Sequence, residues 1–104
     1  MTERWAKFNS AINRLTGVGS IKERLQEAYF YNLSDLQSSD LPSEIHNKFE
    51  ALKRAMTREE PLGSETKVEA AMRKMYDSDA IKWIGEIVTM YDIVARHEGP
   101  ATKK

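Results

Sequence analysis

The clearest pattern in the chain lies between Asp77 and Glu98, where apolar and polar positions separate onto two sides of a helix. At about 3.6 residues per turn, the apolar positions fill roughly half of the helix circumference, which is wider than the stripe of an ordinary surface helix. Such a helix must pack against at least two neighbours, so we expect it, over about residues 79–97, to lie at the centre of the core. The apolar positions are Ala80, Ile81, Trp83, Ile84, Ile87, Val88, Met90, Tyr91, Val94 and Ala95.

Both ends of this helix carry boundary signals. Asp77 or Ser78 can accept hydrogen bonds from the first free amides, and Arg96 places positive charge near the negative end of the helix dipole. Gly99 and Pro100 follow, a pair that favours the end of a helix because proline cannot continue the hydrogen-bond ladder. The pattern therefore predicts a helix that ends before residue 99.

Apolar residues at three- and four-residue spacing predict four further helices. The first covers residues 2–15, and the second follows the capping-box pair Ser20 and Glu23. The third helix begins at Pro42. The fourth follows a loop that contains proline and glycine, and we expect Ser64 to cap it. No run shows the alternation of a β-strand. The fold prediction is therefore an all-α bundle of four to five helices.

Length and composition agree with this prediction. The chain has 104 residues, of which 40% are hydrophobic and 31% charged, enough to bury one core without covalent staples. We expect residues 1–97 to form the bundle domain and residues 98–104 a disordered tail. The chain has no cysteine and no apolar run of the roughly 20 residues that cross a bilayer. We therefore expect a cytoplasmic protein that makes no membrane contact.

No pattern of catalytic or metal-binding residues stands out in the sequence. His46 and His97 lack the Glu-x-x-His partners of a di-iron bundle, and the acidic run at residues 77–79 does not continue with the spacing of a calcium loop. Without cysteine, a nucleophile would have to be a serine or threonine, and most of these stand where caps or turns are needed. We therefore predict a protein that is not an enzyme and has no metal and no cofactor.

Charge leaves two alternative functions open. Sixteen basic and sixteen acidic residues give a net charge of zero, which argues against strong attraction to nucleic acid or membrane. A nucleic-acid-associated role would rest on the basic residues near the N-terminus. An anion- or phosphate-binding role would use Gly17–Lys22 at the start of the second helix. The basic residues are Arg4, Lys7, Arg14, Lys22 and Arg24.

Some apolar residues are not required by the core pattern. Phe30 falls opposite the apolar side of the second helix, in a run of three aromatic residues. On the last helix, Ile93 falls among polar positions, and Trp83 and Met90 border it along one flank. Aromatic residues and methionine are enriched in interfaces. We expect Phe30, Trp83, Met90 and Ile93 to contact another protein or a second copy of this one, unless a neighbouring helix of the same chain covers the flank.

Overall fold

The computed structural model describes residues 2–98, most of which are helical. Within this range there are five α-helices and no β-strand, which confirms the predicted all-α bundle. The helices are α1 (Glu3–Leu15), α2 (Ile21–Ala28), α3 (His46–Thr57), α4 (Lys67–Lys74) and α5 (Asp77–Glu98).

Helix α5 lies at the centre of the bundle. It contacts α1, α2 and α3, which together cover its inner side. Ala80, Ile87, Met90 and Val94 are fully buried there, and burial of each large apolar side chain contributes about 1.5–3 kcal/mol. The predicted central C-terminal helix is therefore confirmed, and it extends slightly beyond residues 79–97 at both ends.

Aromatic side chains join α1 to its neighbours. Phe8 of α1 and Phe49 of α3 are fully buried, with ring centroids 6.5 Å apart. One turn earlier on α1, Trp5 packs against Tyr91 of α5 with ring centroids 6.3 Å apart. The Tyr91 hydroxyl donates to Oδ1 of Asn9 at 3.3 Å. These contacts hold α1 along one flank of α5.

Reciprocal capping explains where α2 and α4 begin. As predicted, the Ser20 hydroxyl accepts from the Glu23 amide while the Glu23 carboxylate accepts from the Ser20 amide. Thr66 and Glu69 form the same arrangement. The predicted cap at Ser64 is therefore wrong, and α4 begins two residues later than expected. The physical reason is that Thr66, unlike Ser64, has a glutamate three positions later to complete the box.

Helix α5 also begins differently from the prediction. It starts at Asp77, and the amide of Tyr76 donates to the Asp79 carboxylate at 3.0 Å. Asp79 therefore satisfies the free amide before the helix, and the predicted cap at Asp77 or Ser78 is wrong. Tyr76, between α4 and α5, is exposed.

A wider turn follows α2. Residues Tyr29–Leu33 form a π-helical turn, in which the Ser34 amide donates to the Tyr29 carbonyl oxygen five residues earlier, at 3.0 Å. The first and last residues of the turn are buried, while Phe30 and Tyr31 are exposed. A π-helical turn contains one more residue than an α-helical turn. The extra residue keeps the core positions aligned and leaves two aromatic rings at the surface. The chain then reaches α3 through two 3-10 turns, Ser38–Asp40 and Ser43–Ile45.

The predicted tail over residues 98–104 falls almost entirely outside the described range. Glu98 is the last residue of α5, and residues 99–104 are not described. Across residues 2–98, no helix combines the length and the apolar character required to cross a bilayer.

Candidate interaction surfaces

The predicted ridge on α5 does not form a continuous surface. Met90 is fully buried in the core, so the expectation that it contacts a partner does not hold in this chain. Trp83 and Ile93 are only partly exposed and pack against the core. The Lys82 ammonium lies over the Trp83 ring, 4.8 Å from its centroid.

The same chain covers this flank of α5. Lys48 of α3 pairs with Glu86 at 3.0 Å, and Glu44, in the turn before α3, contacts His97 at 2.6 Å. Glu86 lies about two turns before Ile93 and His97 about one turn after it, on the same side of α5, so α3 and its preceding turn run along that side. This is the alternative that the sequence left open, and it removes most of the predicted ridge from the surface.

The exposed apolar residues of α5 lie on the opposite flank. Ile81 is 55% exposed and Val88 is 49% exposed. Gly85 lies between them, and apart from the adjacent residues and the local backbone of α5, no heavy atom lies within 4 Å of the position that a Cβ would take there. We call these three residues the outer face of α5. Periodicity placed Ile81 and Val88 at the edge of the apolar sector, and that edge position was the signal that could have revealed their exposure.

Charge is distributed unevenly along α5. Its first turn carries Asp77 and Asp79, and its last turn carries Arg96 and His97. Arg96 pairs within the helix with Asp92 at 2.7 Å. Both sets are oriented favourably with respect to the helix dipole.

Phe30 belongs to a second surface, a groove between α2, the π-helical turn and the start of α4. Phe30 is 42% exposed, and its ring meets that of Tyr31 edge to face with centroids 5.2 Å apart. The groove has a volume of about 310 Å³. We call it the aromatic groove; its lining residues are Glu23, Gln26, Glu27, Phe30, Tyr31, Thr66 and Glu69.

A cation of the chain itself lies at the edge of this groove. The Arg14 guanidinium lies 5.3 Å from the centroid of the Tyr31 ring and 3.5 Å from Oε1 of Glu27. One ring and one carboxylate of the groove therefore already hold a guanidinium group. The sequence singled out Phe30 but gave no indication of these neighbours, because they come from three separate segments.

The basic residues near the N-terminus contact other parts of the chain. Lys7 binds Asp35 at 2.9 Å, and this hydrogen bond is the main reason that the pKa of Lys7 is raised and the pKa of Asp35 is lowered. Arg24 donates to the carbonyl oxygen of Leu15 at 3.0 Å. Arg4 also has a partner. These contacts use side chains that phosphate binding would need.

The glycine-rich segment holds its polar groups in internal contacts. Gly19 has a φ of 108°, which favours glycine, and positions Ser20 as the cap of α2. The Lys22 ammonium donates to the carbonyl oxygens of Met72 and Met75, at 2.8 Å each. Lys22 thus caps the end of α4, where carbonyl groups lack helical partners.

The histidines lie apart from each other and have local partners. Nε2 of His46 bonds to the carbonyl oxygen of Leu41 at 2.8 Å, whereas His97 contacts Glu44. Among residues 2–98, no three histidine, aspartate or glutamate side chains are grouped as a metal ion would require. The expectation that the protein is not an enzyme stays a prediction.

The fold and these two surfaces define a small all-α bundle with a half-exposed central helix. Comparison of the chain with models of known protein families, with curated proteins and with solved structures found no match.

Proposed function

We propose that this chain is a non-enzymatic protein-interaction module that associates with a second copy of itself through the outer face of α5. The observation that carries the proposal is the exposure of Ile81 and Val88 on a helix whose other side already fills the core. Aliphatic side chains two turns apart form a short stripe, and covering it with another helix would remove apolar surface from water.

The spacing of the stripe suits an antiparallel pair of α5 helices. In a two-fold arrangement centred beside Gly85, Ile81 of one copy lies opposite Val88 of the other, and the same contact forms twice. Gly85 has no side chain, and apart from the adjacent residues and the local backbone of α5, no atom of the chain lies within 4 Å of its Cβ position. Two helices could therefore approach closely at the centre of the pair.

The helix dipoles favour the same orientation, because an antiparallel pair brings the positive end of each α5 toward the negative end of the other. The chain has a net charge of zero, so no long-range repulsion opposes the meeting of two copies.

Sedimentation equilibrium over a range of protein concentrations tests this proposal. The patch is small, so we expect a dissociation constant on the order of 100 µM. Ile81→Asp would bury a carboxylate against an apolar contact and should abolish association while the circular dichroism spectrum stays helical. Leu62→Asp is the matched control, because Leu62 is also an exposed aliphatic residue, at 62%, but lies in the loop before α4.

Two results would contradict self-association. One is a chain that remains monomeric at about 1 mM, where a dimer of the expected affinity would predominate. The other is equal weakening by Ile81→Asp and Leu62→Asp, which would trace the effect to the added charge instead of the outer face.

The nucleic-acid and anion-binding alternatives have less support. The contacts of Lys7 and Arg24 within the chain compete with phosphate, and Lys22 is bound at the end of α4. We keep the cytoplasm as the proposed location, an expectation that rests on the sequence alone.

A further inference from the structure

We propose that the aromatic groove binds an arginine side chain presented by a partner protein. This site shares no residue with the outer face of α5, so it can be tested independently of self-association. The groove is concave, and its seven lining residues include two aromatic rings and three carboxylates; none of these residues is basic. A guanidinium group matches this combination, because its flat face stacks on aromatic rings and its edge forms paired hydrogen bonds with a carboxylate.

Arg14 shows that the groove accepts this chemistry. Its guanidinium lies over Tyr31 and beside Glu27, at 5.3 Å from the ring centroid and 3.5 Å from the carboxylate oxygen. Beside the Tyr31 ring, Phe30 supplies a second exposed ring, and the groove lining includes two more carboxylates, those of Glu23 and Glu69. An arginine from another protein would find there the kind of partners that Arg14 has.

Two of the carboxylates are held in position by the helix caps. Oε1 of Glu23 accepts from the Ser20 amide at 2.9 Å, and Oε1 of Glu69 accepts from the Thr66 amide at 2.7 Å. Each cap uses one oxygen of the carboxylate and limits its rotation. A groove whose charges are already oriented loses less side-chain entropy when a cation binds.

The volume of the groove, about 310 Å³, lies at the small end of the range for ligand sites. That size suits a single long side chain together with a short stretch of its backbone, and it is small for a large cofactor. The two rings are displayed by the π-helical turn, a distortion that occurs frequently at functional sites.

Titration with a short peptide of glycine and arginine tests the proposal, with the aromatic proton signals of Phe30 and Tyr31 as the readout. The same peptide with citrulline in place of arginine keeps the shape and loses the charge, and it should bind at least about tenfold more weakly. Equal binding of the two peptides would overturn the proposal. Tighter binding of tetramethylammonium than of the arginine peptide would also overturn it, since the groove would then be a site for small organic cations.

Variants of the groove separate charge from folding. Glu23→Gln combined with Glu69→Gln removes two charges and keeps both caps, because glutamine serves equally in the capping box. We expect this double variant to weaken peptide binding about tenfold. The double variant Glu50→Gln and Glu60→Gln changes net charge equally at exposed residues outside the groove, and it should change binding less than about twofold.

Two further variants should act in opposite directions. Phe30→Ala removes a ring and should weaken binding about fivefold. Arg14→Gln removes the internal competitor and a neighbouring positive charge, so it should tighten binding about twofold. Loss of affinity on Arg14→Gln would contradict the proposal, as would equal losses in the groove and control double variants.

Discussion

The contact of Lys22 with the end of α4 makes a quantitative prediction. Its ammonium donates to the carbonyl oxygens of Met72 and Met75 at 2.8 Å each, across a sequence separation of 50 and 53 residues. A hydrogen bond with a charged donor contributes about 1.5–3 kcal/mol, and a cation at a helix C-terminus adds about 0.3–1 kcal/mol. Lys22 is only half-buried, so we expect Lys22→Met to lower the free energy of unfolding by about 2 kcal/mol in total.

Methionine keeps the unbranched stem of lysine and removes only the charge and the donors. A loss of about 2 kcal/mol corresponds to a fall of about 10 °C in Tm for a domain of this size. Urea and thermal unfolding measure both quantities. Lys67→Met is the control, because Lys67 is exposed at the start of α4, where a positive charge gains nothing from the helix dipole.

A Lys22→Met variant as stable as Lys67→Met would refute the capping role of Lys22. Inorganic phosphate provides a second check. If phosphate raised the Tm of the original chain but not that of Lys22→Met, the ammonium would be available to anions, which would favour the anion-binding alternative over the cap.

Two other predictions concern the core. Burial, with a smaller contribution from Glu50, raises the pKa of Tyr29 to about 12. The stability that depends on the protonated phenol is therefore complete below pH 10 and is lost as pH rises toward 12. In urea unfolding over this range, the free energy of unfolding of the original chain should fall by about 2 kcal/mol more than that of Tyr29→Phe. Met90→Ala should cost about 2–5 kcal/mol because it leaves a cavity. Val88→Ala in dilute solution should cost less than about 1 kcal/mol, and equal costs would contradict the assignment of Met90 to the core and Val88 to the outer face.

Patterns within single helices were sufficient to predict the architecture. The spacing of Ala80, Ile87 and Val94 identifies the inner side of α5, because residues three, four and seven apart lie on one face of a helix whatever surrounds it. The pair Ser20 and Glu23 identifies the start of α2, because both hydrogen bonds of that cap are local. The exposure of Phe30 also followed from its position opposite the apolar side.

What the sequence could not decide is which flank of α5 the other helices cover. Periodicity reports the average direction of the apolar side. It placed Ile81 and Val88 within that side and left open whether Met90 faces the core or a partner. In the folded chain α3 covers the flank that carries Ile93, and the flank with Ile81 and Val88 is left partly exposed. That outcome depends on how all five helices pack against one another, which the periodicity of a single helix does not report.

The sequence alone determined the helices, the inner side of α5 and the cap of α2, because these depend on residues within one or two turns of each other. The aromatic groove and the cap formed by Lys22 depend on segments that are far apart in the chain. Only the tertiary structure brings Phe30 beside Glu69, or Lys22 to the carbonyl oxygens of α4, because side-chain chemistry at one position does not specify which distant backbone it will meet.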